Sequence, residues 1–408
     1  MSGDAGGLYA RGMHAEQVAR EVRAMTKREV FVMAIAGKLT WEQAGAILRM
    51  SGRHIRRLRA RFEEFGVAGL MDRRGGRSRR RRVRPETIAE VCRLKSDVYP
   101  DWSMQHFHER VTEKHGLKLS YTLMRSVLQD AGIVEKARAR GKYRRKRERR
   151  PMVGMLVHMD GSMHEWIDGL PKHDLVVTLD DADGRMLHAR FFEEEGTHST
   201  LVGLDHVLRK RGRFAEFYTD RGSHFCRTER AGAGPAAEQN GQVARVCKTL
   251  GIRQILAHSP QARGRSERAF RTIQGRLPQE LRAAGVRSYG EANLYLDRVF
   301  VRDFNRKFIV QPEQSGSAFI PLHGVDLELL LSIHHDRVVA NDSTITFGKL
   351  ELQLPKTTDR AHYARCPVVV HELLDGDLAV SYLGRLMAQF TSAGVLRRAP
   401  KISRQKAA

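Results

Sequence analysis

The sequence predicts a multidomain α/β protein, and three stretches with different hydrophobic patterns indicate this fold class. Residues 26–134 have helical periodicity broken by glycines, which predicts small helical units. Residues 151–290 alternate short apolar runs with helical segments, which predicts a sheet flanked by helices. From His334 the pattern changes to short runs separated by turn residues, which predicts a small all-β unit. The 408 residues are enough for several domains of this size.

The composition is strongly basic. The chain has 71 Lys and Arg residues against 47 Asp and Glu residues, a formal net charge of +24. Such an excess predicts an anionic polymer as the partner, bound largely through sequence-independent contacts to phosphates. A solvated basic surface, as in ribosomal proteins, is the alternative interpretation.

The cysteines and the apolar runs bear on the cellular compartment. Four scattered cysteines form no C-x-x-C pair, and they favour reduced thiols over disulfides or zinc ligands. We expect no secretory leader and no membrane-spanning segment, because no apolar run is long enough. The sequence therefore predicts a cytoplasmic protein.

Residues 1–25 are rich in glycine and are expected to be loosely ordered.

Residues 26–71 predict a helix-turn-helix unit. Thr40 and Gln43 form a capping-box pattern at the start of one helix. That helix ends at a Ser-Gly pair, and a basic helix follows the tight turn. An ordinary helical hairpin with a solvated face is the alternative. The residues expected to contact DNA lie at the start of the basic helix: Arg53, His54, Arg56 and Arg57.

A second helical unit is predicted over residues 85–134, where Ser120 is the expected N-cap of its last helix and Gly132 its stop. Two basic runs flank this unit, residues 72–84 and residues 135–150, and both are too charged to pack. We interpret them as linkers that contact DNA, and a purely solvated linker is the alternative for the second run. The side chains expected to contact DNA in these runs are Arg79, Arg80, Arg81, Arg144, Arg145 and Lys146.

Three acidic residues stand out within residues 151–290. Asp160 ends the apolar run MVGMLVHMD, and Asp220 ends the apolar run FAEFYTD. A carboxylate at the end of a buried strand is costly unless it is paired or bound to a metal. Glu267 is the only acidic residue in the basic helical stretch HSPQARGRSERAFRTIQGRL. Three such oxygen donors suit Mg²⁺ or Mn²⁺, whereas the simpler interpretation pairs Glu267 with Arg271 one helical turn later.

The same pattern predicts the elements that carry these residues. Strands are expected over residues 152–164, 173–179, 186–192, 214–220 and 252–257. The acidic group Asp180, Asp181 and Asp183 is interpreted as a hairpin turn and not as a metal site. Residues 228–241 are rich in Gly and Ala and predict a mobile loop beside the site.

The motif TDRGSHF, which contains Asp220, and the motif SPQARGRSER, which contains Glu267, resemble the DDE catalytic core of insertion-sequence transposases and retroviral integrases. The resemblance is greatest to the ISNCY group of bacterial transposases and covers residues 150–290. It implies a ribonuclease H-like mixed-sheet core with Asp160 on the central strand, Asp220 on the strand beside it and Glu267 on a helix packed against both. It also implies that these three carboxylates are catalytic and bind two Mg²⁺ or Mn²⁺ ions. The interval from Asp220 to Glu267 is longer than is usual in integrases.

The flanking regions complete the predicted architecture. Residues 291–333 predict a helical connector, residues 334–396 a small SH3-like β-barrel and residues 397–408 a basic tail. The expected fold is therefore a ribonuclease H-like core over residues 151–290, preceded by helix-turn-helix domains and followed by a small barrel.

The resemblance implies a DNA transposase that binds the terminal repeats of an insertion sequence, cleaves the 3' ends with the help of metal ions and transfers the strands into target DNA. Phosphate contacts are expected from Arg263, Arg265 and Arg271. The implied partner is double-stranded DNA, and the implied assembly is a homodimer or a larger synaptic complex at the bacterial nucleoid. Two rivals stay open: a catalytically silent DNA-binding regulator with the same fold, and a ribonuclease H-like hydrolase that cuts without strand transfer.

Overall fold

The computed structural model describes most of the chain and divides it into two compact units, Met1–Tyr143 and Arg144–Ala408. The described residues are 26–71, 83–135, 148–222, 225, 241–257, 264–356 and 362–398. The expectations for the N-terminal stretch, for most of both basic runs, for the Gly/Ala-rich insertion and for most of the basic tail fall outside these residues.

The described part of the first unit is helical. Its helices are α1 (residues 26–35), α2 (Trp41–Ile47), α3 (Gly52–Phe65), α4 (Val67–Leu70), α5 (Pro85–Arg93), α6 (Met104–His115) and α7 (Tyr121–Asp130). The predicted capping box is confirmed, because the Thr40 side chain and the Gln43 side chain each accept a hydrogen bond from the other's backbone amide. Ser120 is the N-cap of α7, as predicted. Buried Phe31, Ile55 and Leu58 join α1 to α3 in one small core.

A five-stranded mixed sheet forms the centre of the second unit. Its strands are β1 (Leu156–His164), β2 (His173–Asp180), β3 (Met186–Phe192), β4 (Glu216–Thr219) and β5 (Arg253–Leu256). The strand order is β3-β2-β1-β4-β5, in which β1 to β3 are antiparallel and β4 and β5 run parallel to β1. The predicted mixed sheet is confirmed, with β1 in the middle. The strand begins later than predicted because Gly154 has a φ of +81°, which interrupts an extended chain.

Helices cover both faces of this sheet. They are α8 (Thr197–Arg211), α9 (Gln242–Leu250), α10 (Gly264–Gln274), α11 (Leu277–Ala283), α12 (Tyr289–Tyr295) and α13 (Val301–Phe308). Val157 of β1 packs with Leu204 of α8 and Val246 of α9 on one face. Val177 of β2 packs with Phe270 of α10 on the other face. Because successive residues of a strand point to opposite faces, the strand sequence decides which side chains meet which helices.

The free edge of β3 is covered by the α12–α13 helical segment. The side-chain amide of Asn305 accepts a hydrogen bond from Met186 N at 2.7 Å and donates one to Met186 O at 2.8 Å. Asn293 makes the same pair of bonds with the backbone of Phe191, at 2.7 and 3.3 Å. Each amide therefore takes the place of a neighbouring strand, which satisfies backbone groups that an edge strand leaves unpaired.

The C-terminal region has its own core and two sheets. After the short helix α14 (Leu327–Leu330) come β6 (Ile333–Val338), β7 (Thr344–Phe347), β8 (Leu350–Gln353), β9 (Pro367–Glu372), β10 (Leu378–Tyr382), β11 (Arg385–Phe390) and β12 (Leu396–Arg398). One sheet has the order β12-β11-β10-β9-β6, and β7 pairs with β8 alone. Ile345 and Leu352 of this hairpin share a core with Val370 and Val380. The predicted closed barrel is not confirmed, because the described strands form an open sheet and a hairpin packed against it.

No helix among the described residues is long and apolar enough to cross a membrane.

Burial gives the second unit a histidine with an unusual titration. His188 of β3 is 3% exposed, and its ring centroid lies 4.4 Å from that of His206 on α8. Burial, reinforced by the positive charges of His206, Arg190 and Lys210, lowers the pKa of His188 to about 3. The unfolded chain takes up a proton at this residue as the pH falls through its ordinary value near 6.5, whereas the folded chain does not. The stabilising contribution is therefore complete above that value and is lost as the pH falls below it.

Replacing His188 with Phe should remove this pH dependence while keeping a ring beside His206. Between pH 7 and pH 5, the unfolding free energy of the wild type should fall by about 2 kcal/mol more than that of the variant. Urea unfolding at pH 5, 6 and 7 measures the difference. Parallel pH profiles for the two proteins would show that His188 titrates normally in the fold.

Candidate active site

Asp160 and Asp220 lie beside each other on neighbouring parallel strands. Asp160 is half-buried in β1, and Asp220 follows the last residue of β4. The β1–β4 pairing ends with His158 opposite Tyr218; Asp160 and Asp220 each lie two residues beyond that pair, so the same offset continued past it would bring them level. Aligned residues point to the same face of the sheet, on strands about 4.8 Å apart. The prediction that these carboxylates occupy the central strand and its neighbour agrees with this placement.

The helix α10 packs over the face that carries Asp160. Across the β1–β2 ladder Asp160 is paired with Val177, so both side chains point to the same face. Val177 belongs to the same buried cluster as Phe270 and Ile273 of α10. These two apolar residues of α10 are therefore the contacts that bring the helix onto the carboxylate face.

Glu267 is in the first turn of α10, and its side chain is exposed. Gln274 follows it by two helical turns and therefore lies on the same side of the helix. Gln274 Nε2 donates a hydrogen bond to Ser162 Oγ at 3.0 Å, and Ser162 is on the same face of β1 as Asp160. Glu267 is thus on the side of α10 that meets β1.

The three carboxylates do not form an assembled ligand cluster in the structure. Within the part of the chain that the structure describes, no three His, Cys, Asp or Glu side chains come together to hold a metal ion. Residues 258–263, which lead directly into α10, are not among the described residues. The structure places Asp160 and Asp220 just beyond the last β1–β4 pair and leaves Glu267 exposed on the helix that packs against the sheet.

The predicted DNA contacts of α3 are all at the surface. The buried residues of this helix are Ile55 and Leu58, and the exposed positions between them carry basic side chains. The four predicted contacts, all exposed, are Arg53, His54, Arg56 and Arg57. The predicted contacts outside the described residues are Arg79, Arg80, Arg81, Arg144, Arg145, Lys146 and Arg263.

The two remaining predicted contacts, both on α10, have different surroundings. Arg271 is exposed on the helix. The Arg265 side chain is only 17% exposed and forms an ion pair with Asp181, and its Nη2 donates to Glu148 O at 3.0 Å. The Arg265 side chain is therefore mostly buried. The sequence predicted an exposed phosphate contact at this position.

The acidic turn between β2 and β3 is a turn, as predicted, but its three aspartates are buried. Asp180, Asp181 and Asp183 are each at most 2% exposed. Asp180 accepts hydrogen bonds from Gly154 N at 2.7 Å and Ala182 N at 2.9 Å. Burial raises the pKa of Asp180 to about 6 in spite of these bonds.

Asp181 is the most heavily bonded of the three. Its carboxylate lies 2.7 Å from His158 Nε2 and accepts a hydrogen bond from Arg150 N at 2.7 Å, in addition to the ion pair with Arg265. Burial alone would raise the pKa of Asp181, but the bonds from His158, Arg150 and Arg265 outweigh it and hold the pKa well below its usual range. We refer to Asp181, His158, Arg265 and the Arg150 amide as the Asp181 network.

Two family models match the N-terminal part of the chain. The Homeodomain-like domain matches residues 54–128, and the Helix-turn-helix domain matches residues 26–79. These matches confirm the helix-turn-helix character that the spacing of helices and glycines predicted.

Curated relatives cover most of the chain. A protein of Sinorhizobium fredii (strain NBRC 101917 / NGR234) named as a transposase, y4bF, is 29% identical over 371 residues, 90% of this chain and 80% of that protein. The transposase for insertion sequence IS1202 of Streptococcus pneumoniae is 27% identical over 402 residues, 88% of this chain and 85% of that protein. The chain is a homologue of transposases, which confirms the resemblance drawn from its motifs.

Solved structures with weaker similarity include integrase cores. The HTLV-2 integrase catalytic core domain in complex with magnesium is 16% identical, covers 36% of this chain and 90% of that chain, and has a TM-score of 0.26. The catalytic core domain of BIV integrase is 18% identical, covers 36% of this chain and 86% of that chain, and has a TM-score of 0.26.

Breaking the Asp181 network should be strongly destabilising, because removing one partner leaves other charged groups buried without it. Asp181→Asn should lower the unfolding free energy by about 3 kcal/mol at pH 7, as measured by urea unfolding. Asp168→Asn is the matched control, since Asp168 pairs with Arg282 at 2.8 Å where both side chains are at least half exposed. That change should cost less than about 1 kcal/mol. Equal effects of the two substitutions would contradict a special role for the buried carboxylate.

Proposed function

We propose that the chain is a DNA transposase that binds the ends of an insertion sequence, cleaves their 3' ends and joins them to target DNA. The observation that carries this proposal is the alignment of Asp160 with Asp220 beneath α10, the helix that bears Glu267. It occurs in a chain whose transposase homologues match about nine-tenths of its length. Double-stranded DNA is the proposed partner, and the bacterial cytoplasm, at the nucleoid, is the proposed place of action.

The strand order supports assignment of the core to the ribonuclease H-like fold. Three antiparallel strands followed by two strands parallel to the first, with β1 in the centre, are the arrangement that the resemblance implied. In such a sheet the first and fourth strands are neighbours. Residues at the same level of these strands can therefore act on one phosphate group.

The donor chemistry fits divalent metal ions. Asp160, Asp220 and Glu267 offer carboxylate oxygens, which suit Mg²⁺ or Mn²⁺. Asp160, Asp220 and Glu267 are the residues that would hold two such ions. Bound ions would supply Lewis acidity to the attacking oxygen and the leaving oxygen of the scissile phosphate.

The protein's own residues have to bring the third carboxylate into place. Asp160 is paired with Val177 of β2 and Asp220 directly follows β4, whereas Glu267 is exposed in the first turn of its helix. Gln274 holds the other end of α10 against Ser162. We therefore propose that α10 stays in place and that the exposed Glu267 side chain turns toward Asp160 when DNA and metal ions bind.

Basic surfaces would hold the DNA. The exposed basic side chains at the start of α3 are proposed to read DNA ends, and the two basic runs at residues 72–84 and 135–150 to follow the phosphate backbone. Arg271, exposed on α10, and Arg263 are proposed phosphate contacts near the cleavage site. Since two transposon ends are processed and joined, we propose that at least two copies of the chain assemble on them.

Cleavage and joining of labelled DNA from the flanks of the encoding gene test the enzyme function. With Mg²⁺ or Mn²⁺ the wild type should produce nicked and joined products, and Glu267→Gln should produce neither while still binding the DNA. Glu328→Gln, which changes a glutamate in the first turn of α14 outside the site, is the control and should behave as wild type. Tight binding to the ends without cleavage under any divalent ion would favour the DNA-binding regulator. Nicking without joined products would favour the hydrolase.

The role of α3 is tested by Arg57→Ala. Loss of one phosphate contact should weaken binding to end DNA and reduce the slope of log affinity against log salt by about 1. Arg59→Ala is the control on the same helix, because Arg59 pairs with Glu63 at 2.7 Å and lies 4.8 Å from the Trp41 ring centroid. Equal salt slopes for Arg57→Ala and the wild type, in electrophoretic mobility-shift titrations, would remove Arg57 from the interface.

A further inference from the structure

One buried carboxylate contacts the elements that carry two of the three proposed ligands. His158, which lies 2.7 Å from Asp181, is two residues before Asp160 on the same face of β1. Arg265, which forms the ion pair with Asp181, is two residues before Glu267 on α10. Asp181 is therefore bonded to β1 two residues before Asp160 and to α10 two residues before Glu267.

The helix α10 is attached near both of its ends, to the β2–β3 turn through Arg265 and to β1 through Gln274. Arg265 is bonded to Asp181 near its first residue, and Gln274 is bonded to Ser162 at its last. Nine residues of helix separate these two attachments, about 14 Å along its axis. A helix fixed at two such points cannot slide or rotate along the strand, so the position of Glu267 relative to Asp160 is set by both.

The same network fixes the end of the second basic run. Arg150 N donates to the Asp181 carboxylate, and Arg149 Nη1 donates to the backbone oxygens of Asp181 and Ala182 at 3.1 and 3.2 Å. Arg265 also bonds to Glu148 O. Residues 148–150, at the end of the second basic run, and Arg265 of α10 therefore contact each other and Asp181 at one place.

Stability alone gives a weak reason for this arrangement. A buried ion pair is often no more stabilising than apolar side chains of similar volume, because both charges must leave water. What an ion pair with several defined hydrogen bonds adds is fixed geometry. The Asp181 side chain is completely buried and Arg265 is 17% exposed, so the geometry of the pair is protected from solvent.

We propose that Asp181 and Arg265 are positioning residues that set Glu267 against Asp160 for metal binding. This inference rests on the proposed function, in which Glu267 is a metal ligand. It assigns Arg265 a role through Glu267, in place of the phosphate contact that its basic character predicted. Outer residues that orient ligands commonly change metal affinity by a factor of ten to a hundred when they are replaced.

Binding of Mn²⁺ to the full-length chain, followed by electron paramagnetic resonance without DNA turnover, tests the proposal. Arg265→Ala and Arg265→Met should each weaken Mn²⁺ binding about tenfold, and Arg265→Lys should restore part of it because the ammonium can still pair with Asp181. Arg268→Ala is the control, since Arg268 is exposed and its Nε donates to the backbone oxygen of Gly264 on the same helix. This variant should bind Mn²⁺ as the wild type does. The Met variant keeps the volume of the side chain in case the Ala variant does not fold.

The outcomes separate the two proposals. Loss of Mn²⁺ affinity in Glu267→Gln, with wild-type affinity in both Arg265→Ala and Arg265→Met, would overturn the positioning role and leave the metal site intact. Wild-type affinity in Glu267→Gln would overturn the proposed metal site and the positioning role together. A tenfold loss of Mn²⁺ affinity in the Arg265 variants with partial rescue by Lys, measured at a temperature where circular dichroism shows each variant folded, would support positioning over a purely structural role.

Discussion

The turn between β2 and β3 carries three aspartates below the surface, and different parts of the chain hold each of them. Asp180 binds the amide of Gly154 just before β1, Asp183 binds Arg185 within the turn, and Asp181 binds β1, α10 and the segment that precedes the core. Buried carboxylates tolerate such a position only when hydrogen bonds and opposite charges surround them. The turn therefore constrains how the sheet, the helix and the incoming chain fit together, and the candidate site depends on that fit.

The sheet contributes the other constraint. Parallel pairing makes β1 and β4 neighbours, so Asp160 and Asp220 come from adjacent strands, and antiparallel pairing with β2 directs Asp160 to the face covered by α10. On the outer edge, Asn293 and Asn305 satisfy the backbone of β3, so the sheet ends there instead of pairing with another chain. Asp160 is thus placed by strand pairing, whereas Glu267 is placed by α10, which is held through Arg265 and Gln274.

Much of this arrangement could be predicted from the sequence, because it depends on local patterns and two motifs. Apolar runs predicted the strands, with the bounds of β3 correct, and the motif resemblance placed Asp160 and Asp220 on neighbouring strands. The Asp181 network could not be predicted, since its partners His158 and Arg265 lie 23 and 84 residues away in the chain. The closed barrel was predicted from short apolar runs separated by turn residues, and such a pattern does not specify which strand edges pair.

We propose above that Asp160, Asp220 and Glu267 share a metal site on one face of the sheet. Crystals of the full-length protein with end DNA and Mn²⁺, measured at the manganese absorption edge, would locate the ion directly by anomalous scattering. We expect a peak beside the Asp160 and Asp220 carboxylates, within coordination distance of their oxygens, with Glu267 turned toward it. A peak at the Asp180–Asp183 turn, or no peak beside Asp160 in crystals that contain the cleaved DNA, would contradict it.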